Sequence, residues 1–254
     1  MDTPLTALRW LLAGEDRCDE FLSEIEELNI KRQEKVKTFT EKALIEANPD
    51  DGILFFVEEN IEHGLIGLVA GKLTEMYNRP SIVLCVHDDT LVASCRSPEW
   101  CNLVELLDET KSFFIRYGGH RQAAGFSILA SHFDEFRRAI ESKFREKYDI
   151  VNLPGKTLKV ECILSPTDIT LENARLIETF RPFGIGNPKP LFLIENVTLS
   201  AVKWIGSEGK HASFFTQEVP GVKCLLWNAL AFQDELIQGN IMSLIGEVEK
   251  NTWQ

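Results

Sequence analysis

Apolar positions along the chain change period twice, and the changes predict three stretches. From residue 1 to 48 the period is helical. Leu5, Leu8, Leu11 and Leu12 share a face, and after a break at Gly14-Glu15-Asp16 the residues Phe21, Leu22, Ile25 and Leu28 recur at three and four positions. Asp16 is placed to cap this second helix, with Asp19 and Glu20 in a first turn where the positive end of the helix dipole favours carboxylates. Beyond Leu28 the stripe thins to Val36, Phe39 and Ala43, so the pattern predicts one long helix ending near Asn48-Pro49. A helix with so narrow a stripe lacks a core of its own. It joins two domains, packs on a partner, or lies solvated.

Residues 49–150 read as an α/β domain. Strands are predicted at 52–57, 81–86 and 90–94, with a helix from His63 to Leu73 whose Gly64, Gly67 and Gly71 suit close packing on a sheet. A helix over 103–117 places Leu103, Leu106, Leu107, Phe113 and Phe114 inward. A glycine-histidine turn at Gly118-Gly119-His120 leads into a strand at 126–128, and a last helix over 133–148 carries Phe136, Ile140 and Phe144 at helical spacing. Residues 149–155 form a linker. From 155 to 254 the pattern becomes β-rich: strands at 158–164, 191–194, 197–205, 211–217, 222–228 and 241–249, one helix at 171–180, and a rigid connector, Pro182-Phe183-Gly184-Ile185-Gly186-Asn187-Pro188-Lys189-Pro190. Short strands with such turns suit a small β-barrel, of which the OB-fold is the usual nucleic-acid version. The predicted class is thus a connecting helix region (1–48), an α/β domain (49–150) and an OB-like barrel (155–254).

Composition narrows the function. With 27 basic against 39 acidic residues and a net charge of −12, the chain is unsuited to indiscriminate binding of polyanions, which relies on Lys and Arg displacing counterions. All three stretches are acidic, the last least so, and nucleic acid would need a focused channel. No apolar run reaches the length of a membrane span. Met1-Asp2-Thr3-Pro4 lacks the basic and apolar regions of a signal peptide, which predicts a cytoplasmic location. The 6 cysteines are scattered without a CxxC pair, which favours reduced thiols over a zinc site.

Candidate chemistry concentrates in Tyr117-Gly118-Gly119-His120-Arg121-Gln122-Ala123-Ala124-Gly125-Phe126. Paired glycines bring bare amides near a ligand, and a histidine and an arginine add donors. On the residues alone this is either an anion site or a tight turn with a surface histidine. Gly118-Gly119-His120 followed by Ala123-Ala124-Gly125 resembles the GGHxxAAG motif of DHHA1 domains in the DHH phosphoesterase superfamily, which also occur in oligoribonucleases, cyclic-dinucleotide phosphodiesterases and alanyl-tRNA synthetases. Ser94-Cys95-Arg96-Ser97, Gly64-Leu65-Ile66-Gly67-Leu68-Val69-Ala70 and Asn78-Arg79-Pro80 further resemble the DHHA1 half of the RecJ family of single-strand-specific DNA exonucleases. Asn29-Ile30-Lys31-Arg32-Gln33 is similar to the start of that family's connecting helix. The connector with Phe192, and the run Gly246-Glu247-Val248-Glu249-Lys250-Asn251-Thr252-Trp253, are similar to its OB domain. One departure is Ile61-Glu62-His63, where RecJ proteins commonly have Trp-His-Pro.

The resemblance implies that Ser94 and Arg96 grip a 5′-terminal phosphate; spacing alone does not separate this from a surface ion pair of Arg96 with Glu99 or another acid. It implies that His120, as the catalytic residue, and the Gly118 and Gly119 amides contact the scissile phosphate. Arg116 and Arg121 flank the turn and either extend the cationic surface or lie solvated. Trp204, Phe214, Phe215 and Trp227 are candidates for stacking bases, or for core, and Lys203, Lys210, His211 and Lys223 for phosphates. His63 and His87, the latter beside Asp88-Asp89, have no partners at ligand spacing, so no metal site is expected in this chain. The resemblance implies Mn²⁺ or Mg²⁺ bound by a DHH domain preceding the connecting helix. The chain is then expected to be the C-terminal portion of a 5′→3′ single-stranded-DNA exonuclease, truncated at both ends and inactive alone. Single-stranded DNA is its implied partner, along with single-strand-binding protein or a helicase. Two alternatives stay open: a phosphodiesterase of short oligonucleotides or cyclic dinucleotides, which does not predict the connector or barrel, and a non-catalytic single-strand-binding scaffold.

Overall fold

The computed structural model describes residues 5–251. Met1–Pro4 and Thr252–Gln254 lie outside them, and with them the end of the Gly246–Trp253 motif; so do the side chains of Leu5, Asp16, Cys18 and Glu20. The chain forms two compact units, Met1–Lys156 and Thr157–Gln254. Among the described residues no helix is long and apolar enough to cross a membrane.

The first unit opens with α1 (Leu5–Leu11) and α2 (Glu15–Glu46). Gly14 rather than Asp16 occupies the N-cap of α2, so Asp16 falls inside the first turn. The helix ends at Glu46, its C-cap Ala47 is extended and donates its N–H to the Ala43 carbonyl, and Pro49 keeps the residue before it, Asn48, from resuming the helix. Then follow β1 (Leu54–Glu58), α3 (His63–Tyr77), β2 (Ser81–His87), β3 (Thr90–Arg96), α4 (Leu103–Glu109), β4 (Phe114–His120), β5 (Ala123–Leu129) and α5 (Phe133–Lys147). The sheet order is β1-β2-β3-β5-β4. β1 and β2 are parallel, joined through α3, and the remaining pairs are antiparallel.

Alternation along the strands gives each sheet face its own core. On one face Leu54, Phe56, Val83 and Cys85 pack against Leu65, Val69, Ala70 and Leu73 of α3 and against Phe39 and Ala43 of α2. On the other, Ile82, Leu84, Ala93, Cys95, Phe126 and Ile128 meet Leu103, Leu106 and Leu107 of α4 and Phe136, Ile140 and Phe144 of α5.

Two further expectations fail in this unit. The helix predicted over 103–117 ends at Glu109, where the buried Thr110 hydroxyl donates back to the Leu106 carbonyl at 3.0 Å. Phe114 begins a strand instead, stacking on Phe126 with ring centroids 4.6 Å apart and meeting Phe136 edge-on at 5.2 Å. Aromatic packing outweighs the helical spacing of Phe113 and Phe114. The second failure concerns Gly118-Gly119-His120, which is no turn. These residues are the end of β4, opposite Gly125, Ala124 and Ala123, and the chain reverses at Arg121-Gln122.

In the second unit β6 (Cys162–Ile163) and α6 (Leu171–Glu178) precede β7 (Phe192–Ile205), β8 (His211–Thr216), β9 (Cys224–Leu226) and β10 (Ile241–Gly246). The two strands expected at 191–194 and 197–205 are one 14-residue strand. It takes left-handed backbone at Asn196 (φ 54°) and Ala201 (φ 48°), and between these two positions its pairing passes from β10 (through Thr198) to β8 (from Leu199), with β6 paired at Phe192 and Leu193. Leu199, Ala212, Phe214, Ala229 and Leu236 fill the curl. Among the described residues β9 and β10 do not pair, so the OB-like barrel is a half-barrel.

Phe136 is fully buried and touches the rings of Phe113, Phe114 and Phe126. Phe136→Ala is expected to destabilise its unit by about 3–5 kcal/mol, read from the urea midpoint by far-UV circular dichroism. A loss below about 1 kcal/mol would contradict this account of the core.

Candidate nucleic-acid interface

Cross-strand register decides which side chains share a face, because directly paired residues point the same way. Arg96 stands opposite Ala123, and Ala123 opposite His120. One step along, Ser94 stands opposite Gly125, and Gly125 opposite Gly118. The structure therefore brings Ser94, Arg96, Gly118 and His120 onto one face, the face that α3 covers. The backbones at 96 and 120 are two strand spacings apart, roughly 10 Å.

α3 reaches this row through Gly67. A β-carbon there would lie 3.0 Å from Nη2 of Arg96 and 3.0 Å from Oγ of Ser94, so the helix lies against the guanidinium only because residue 67 has no side chain. Arg96 donates through Nη1 to the Cys95 carbonyl at 2.8 Å and to Ser94 Oγ at 3.2 Å. It pairs with no carboxylate among the described residues, so the ion pair with Glu99 does not form. Its Nη2 and Nε donors remain available, on a half-buried side chain already oriented by its Nη1 bonds.

Small residues keep the neighbouring strands low. Gly119 has φ 150°, and a β-carbon would sit 2.4 Å from Cα of Ala124 and 2.5 Å from the Ala123 carbonyl oxygen, so only glycine fits. A β-carbon added at Gly118 would meet nothing within 4 Å, and the residue is exposed. Between it and α3 lies a shallow groove of about 270 Å³ with Gly118 and Gly125 in its floor and His63, Arg116 and Ser127 on its walls. Arg116 Nε donates to Ser127 Oγ at 3.2 Å, which orients it along the groove. Tyr117 is held protonated above its ordinary range by a hydrogen bond to the Asp108 carboxylate. Arg121 is placed differently: its Nη2 donates to the Glu99 carbonyl at 3.1 Å, tying the hairpin to the loop after β3.

In the second unit, Lys203 stands opposite Ser213 and Ser213 opposite Leu225, while Trp204, Ala212 and Leu226 share the opposite face. Phe214 is core, 4% exposed, and so has no face to offer a base. Phe215 is half-buried, Trp204 is 37% exposed and Trp227 62%. Trp227 receives the edge of the His211 ring at 5.0 Å, and His211 Nδ1 accepts the Asn228 N–H at 2.9 Å. That bond leaves Nε2 as the imidazole's remaining polar atom. Lys210 is paired with Glu208, whereas Lys203 and Lys223 are exposed without a carboxylate partner among the described residues.

Among the described residues no three His, Cys, Asp or Glu side chains gather as metal ligands, and His87 meets only Asp88, at 3.3 Å. Burial raises the thiol pKa of Cys85, Cys95, Cys101 and Cys224, and the described cysteines are free. Sequence reasoning missed Ser127, the groove wall at His63 and the contact of Gly67 with Arg96. Only the run of glycines through the α3 segment hinted at that contact.

Residues 50–146 match the family profile of the DHHA1 domain and residues 160–254 that of the RecJ OB domain. The chain is similar to the single-stranded-DNA-specific exonuclease RecJ of Bacillus subtilis, 30% identical over 254 residues, covering 96% of this chain and 32% of that protein. It is also similar to RecJ of Thermus thermophilus, 27% identical over 97% of this chain and 35% of the relative. The chain spans about a third of the length of these curated relatives. Among solved structures, Thermus thermophilus RecJ in complex with Mg²⁺ superposes with TM-score 0.80 at 26% identity, over 98% of this chain and 38% of that one. A crystal structure of exonuclease RecJ bound to manganese matches 57% of this chain and 37% of that one, with TM-score 0.52 and 27% identity. A DHHA1 sheet carrying the Ser94/Arg96–Gly118/His120 row, followed by a RecJ OB domain, makes this chain a member of the RecJ family, corresponding to the C-terminal part of its exonucleases.

Proposed function

We propose that this chain holds the substrate strand of a 5′→3′ single-stranded-DNA exonuclease. The observation that carries the reading is Arg96: a guanidinium oriented by Ser94 and by the Cys95 carbonyl, free of any carboxylate among the described residues, on the sheet face that also bears His120. The free Nη2 and Nε donors form a fork matched to the oxygens of a terminal phosphate, to which Ser94 adds a hydroxyl. His120 and the backbone at Gly118 and Gly119 stand across β5 from them. In this reading they donate to the phosphodiester under attack as charge develops on it. The shallow groove floored by Gly118 and Gly125 lets the strand lie close to the backbone. In the OB unit, Lys203, Lys223 and the exposed Trp227 offer single-stranded DNA charge and a stacking surface.

Hydrolysis itself is assigned to divalent ions held elsewhere in the complete protein. The support is that the solved RecJ relatives carry Mg²⁺ or Mn²⁺, while no metal-ligand cluster occurs among the described residues here. The RecJ OB domain favours long single strands over the dinucleotide substrates of a small-molecule phosphodiesterase. Single-strand-binding protein or a helicase as further partners belongs to the same proposal, as does a cytoplasmic location.

Arg96→Ala is expected to weaken binding of 5′-phosphorylated oligothymidylate roughly 10- to 100-fold, and that of the 5′-hydroxyl strand little, as measured by fluorescence anisotropy. Equal losses on the two strands would remove the terminal-phosphate role. Gly67→Ala displaces the guanidinium without touching its charge, so it should reduce the preference for the 5′-phosphate while leaving 5′-hydroxyl binding intact; unchanged preference would show that α3 does not position Arg96. Trp227→Ala should weaken both strands alike by about 1–3 kcal/mol, and no change would place the stacking surface elsewhere.

A further inference from the structure

The two edges of the first sheet are unlike. β4, at one end, is broken by a register shift between Phe114 and Arg116 and by the positive φ of Gly119, irregularities that discourage another strand from pairing there. β1, at the other end, runs in unbroken register with β2 from Leu54 to Glu58 and carries no proline, lysine or bulge. The Leu54 N–H donates to the Pro80 carbonyl at 2.8 Å, which fixes the direction of alternation. The backbone groups of Leu54, Phe56 and Glu58 therefore face β2. Those of Phe55 and Val57 face outward, with no partner strand among the described residues.

Beside these groups a cavity of about 200 Å³ opens between the end of α2 and α5, lined by Glu46, Asp51, Phe55, Val57 and Arg137 among others. Its charge is one-sided. Arg137 lies over the Phe55 ring at 4.9 Å and is engaged by Glu141 at 3.0 Å. Glu46 and Asp51 have no cationic partner among the described residues. The carbonyl end of α2, which stops at Glu46, adds the negative end of the helix dipole at the same mouth. We infer that the β1 edge is a strand-addition site for an extended, basic segment of a partner protein. Its backbone pairs with Phe55 and Val57, an apolar side chain enters the cavity, and a Lys or Arg meets Glu46 and Asp51.

A second copy of this chain is the poorer occupant. Antiparallel pairing of β1 with β1 about a two-fold axis brings no cation to Glu46 and Asp51: it sets them toward Glu59, a like charge, and toward Glu58, whose partner Lys42 is already engaged at 2.8 Å. An acidic segment meets the same repulsion.

The test is amide hydrogen exchange by NMR on the ¹⁵N-labelled chain. The free chain should exchange quickly at Phe55 and Val57 and slowly at Phe56 and Glu58. Addition of the synthetic peptide Lys-Val-Thr-Val-Lys-Val should slow Phe55 and Val57 at least about tenfold, and Glu-Val-Thr-Val-Glu-Val should not. The double variant Glu46→Lys with Asp51→Lys, whose positions are exposed and half-exposed, should keep its circular dichroism spectrum and reverse the preference. Three results would overturn the inference: no slowing with the basic peptide, equal slowing with both peptides, or slow exchange at Phe55 and Val57 in the free chain together with a dimer in sedimentation.

Discussion

The site depends on two close approaches, of the β4 backbone to β5 and of α3 to the Arg96 and Ser94 side chains of β3. At Gly119 the approach to Ala123 and Ala124 leaves no room for a β-carbon, and at Gly67 the helix lies against Arg96 and Ser94 with little more clearance. These contacts hold β4 flat on β5 and press α3 onto β3, and they fix where the guanidinium points. With a larger residue at 67, Arg96 would have to move, and its bonds to Ser94 and the Cys95 carbonyl would be re-formed or lost. Burial supplies the energy of the fold, but these missing side chains supply the geometry of its functional face.

The sequence was legible where a single interaction dominates. β2 is buried on both faces and reads as a continuous apolar run, and α5 shows Phe136, Ile140 and Phe144 at helical spacing because one side of it meets the core. It misled where side chains distant in sequence decide. Phe113 and Phe114 fit a helical stripe, yet Phe114 is drawn into a strand by Phe126 and Phe136, partners that no local pattern contains. The glycines at 118 and 119 suggest a turn by local preference. In the fold they serve as the flat end of an edge strand, and the reversal falls to Arg121-Gln122, where the Arg121 guanidinium is tied back to Glu99. The candidate site was legible as residue types and motifs, but its register was not. Nothing in the spacing of Arg96 and His120 reveals that both stand opposite Ala123.

The second unit shows how one bent strand can serve two sheet halves. β7 takes left-handed backbone at Asn196 and Ala201 and passes from pairing with β10 to pairing with β8. A single period-two reading breaks at such a bend, so two strands were expected where there is one. The same alternation, counted after the bend, separates Phe214, which fills the curl, from Lys203 on the other face. Aromatic residues adjacent in sequence thus have different fates, and exposure singles out Trp227 among the stacking candidates.

If an acidic chain is to handle a polyanion, as proposed here for single-stranded DNA, it must confine its attraction. With a net charge of −12, long-range attraction toward DNA is weak, so a strand gains little by lying anywhere on the surface. The gain has to come at short range, from donors already oriented and already partly desolvated. Arg96 is such a donor, because the cost of ordering its side chain is met by the Ser94 and Cys95 bonds before any ligand arrives. In the proposed reading this favours a strand end, whose terminal phosphate carries more charge than an internal phosphodiester, over the interior of a strand. Selectivity for ends then follows from the sparseness of positive charge as much as from the fork itself.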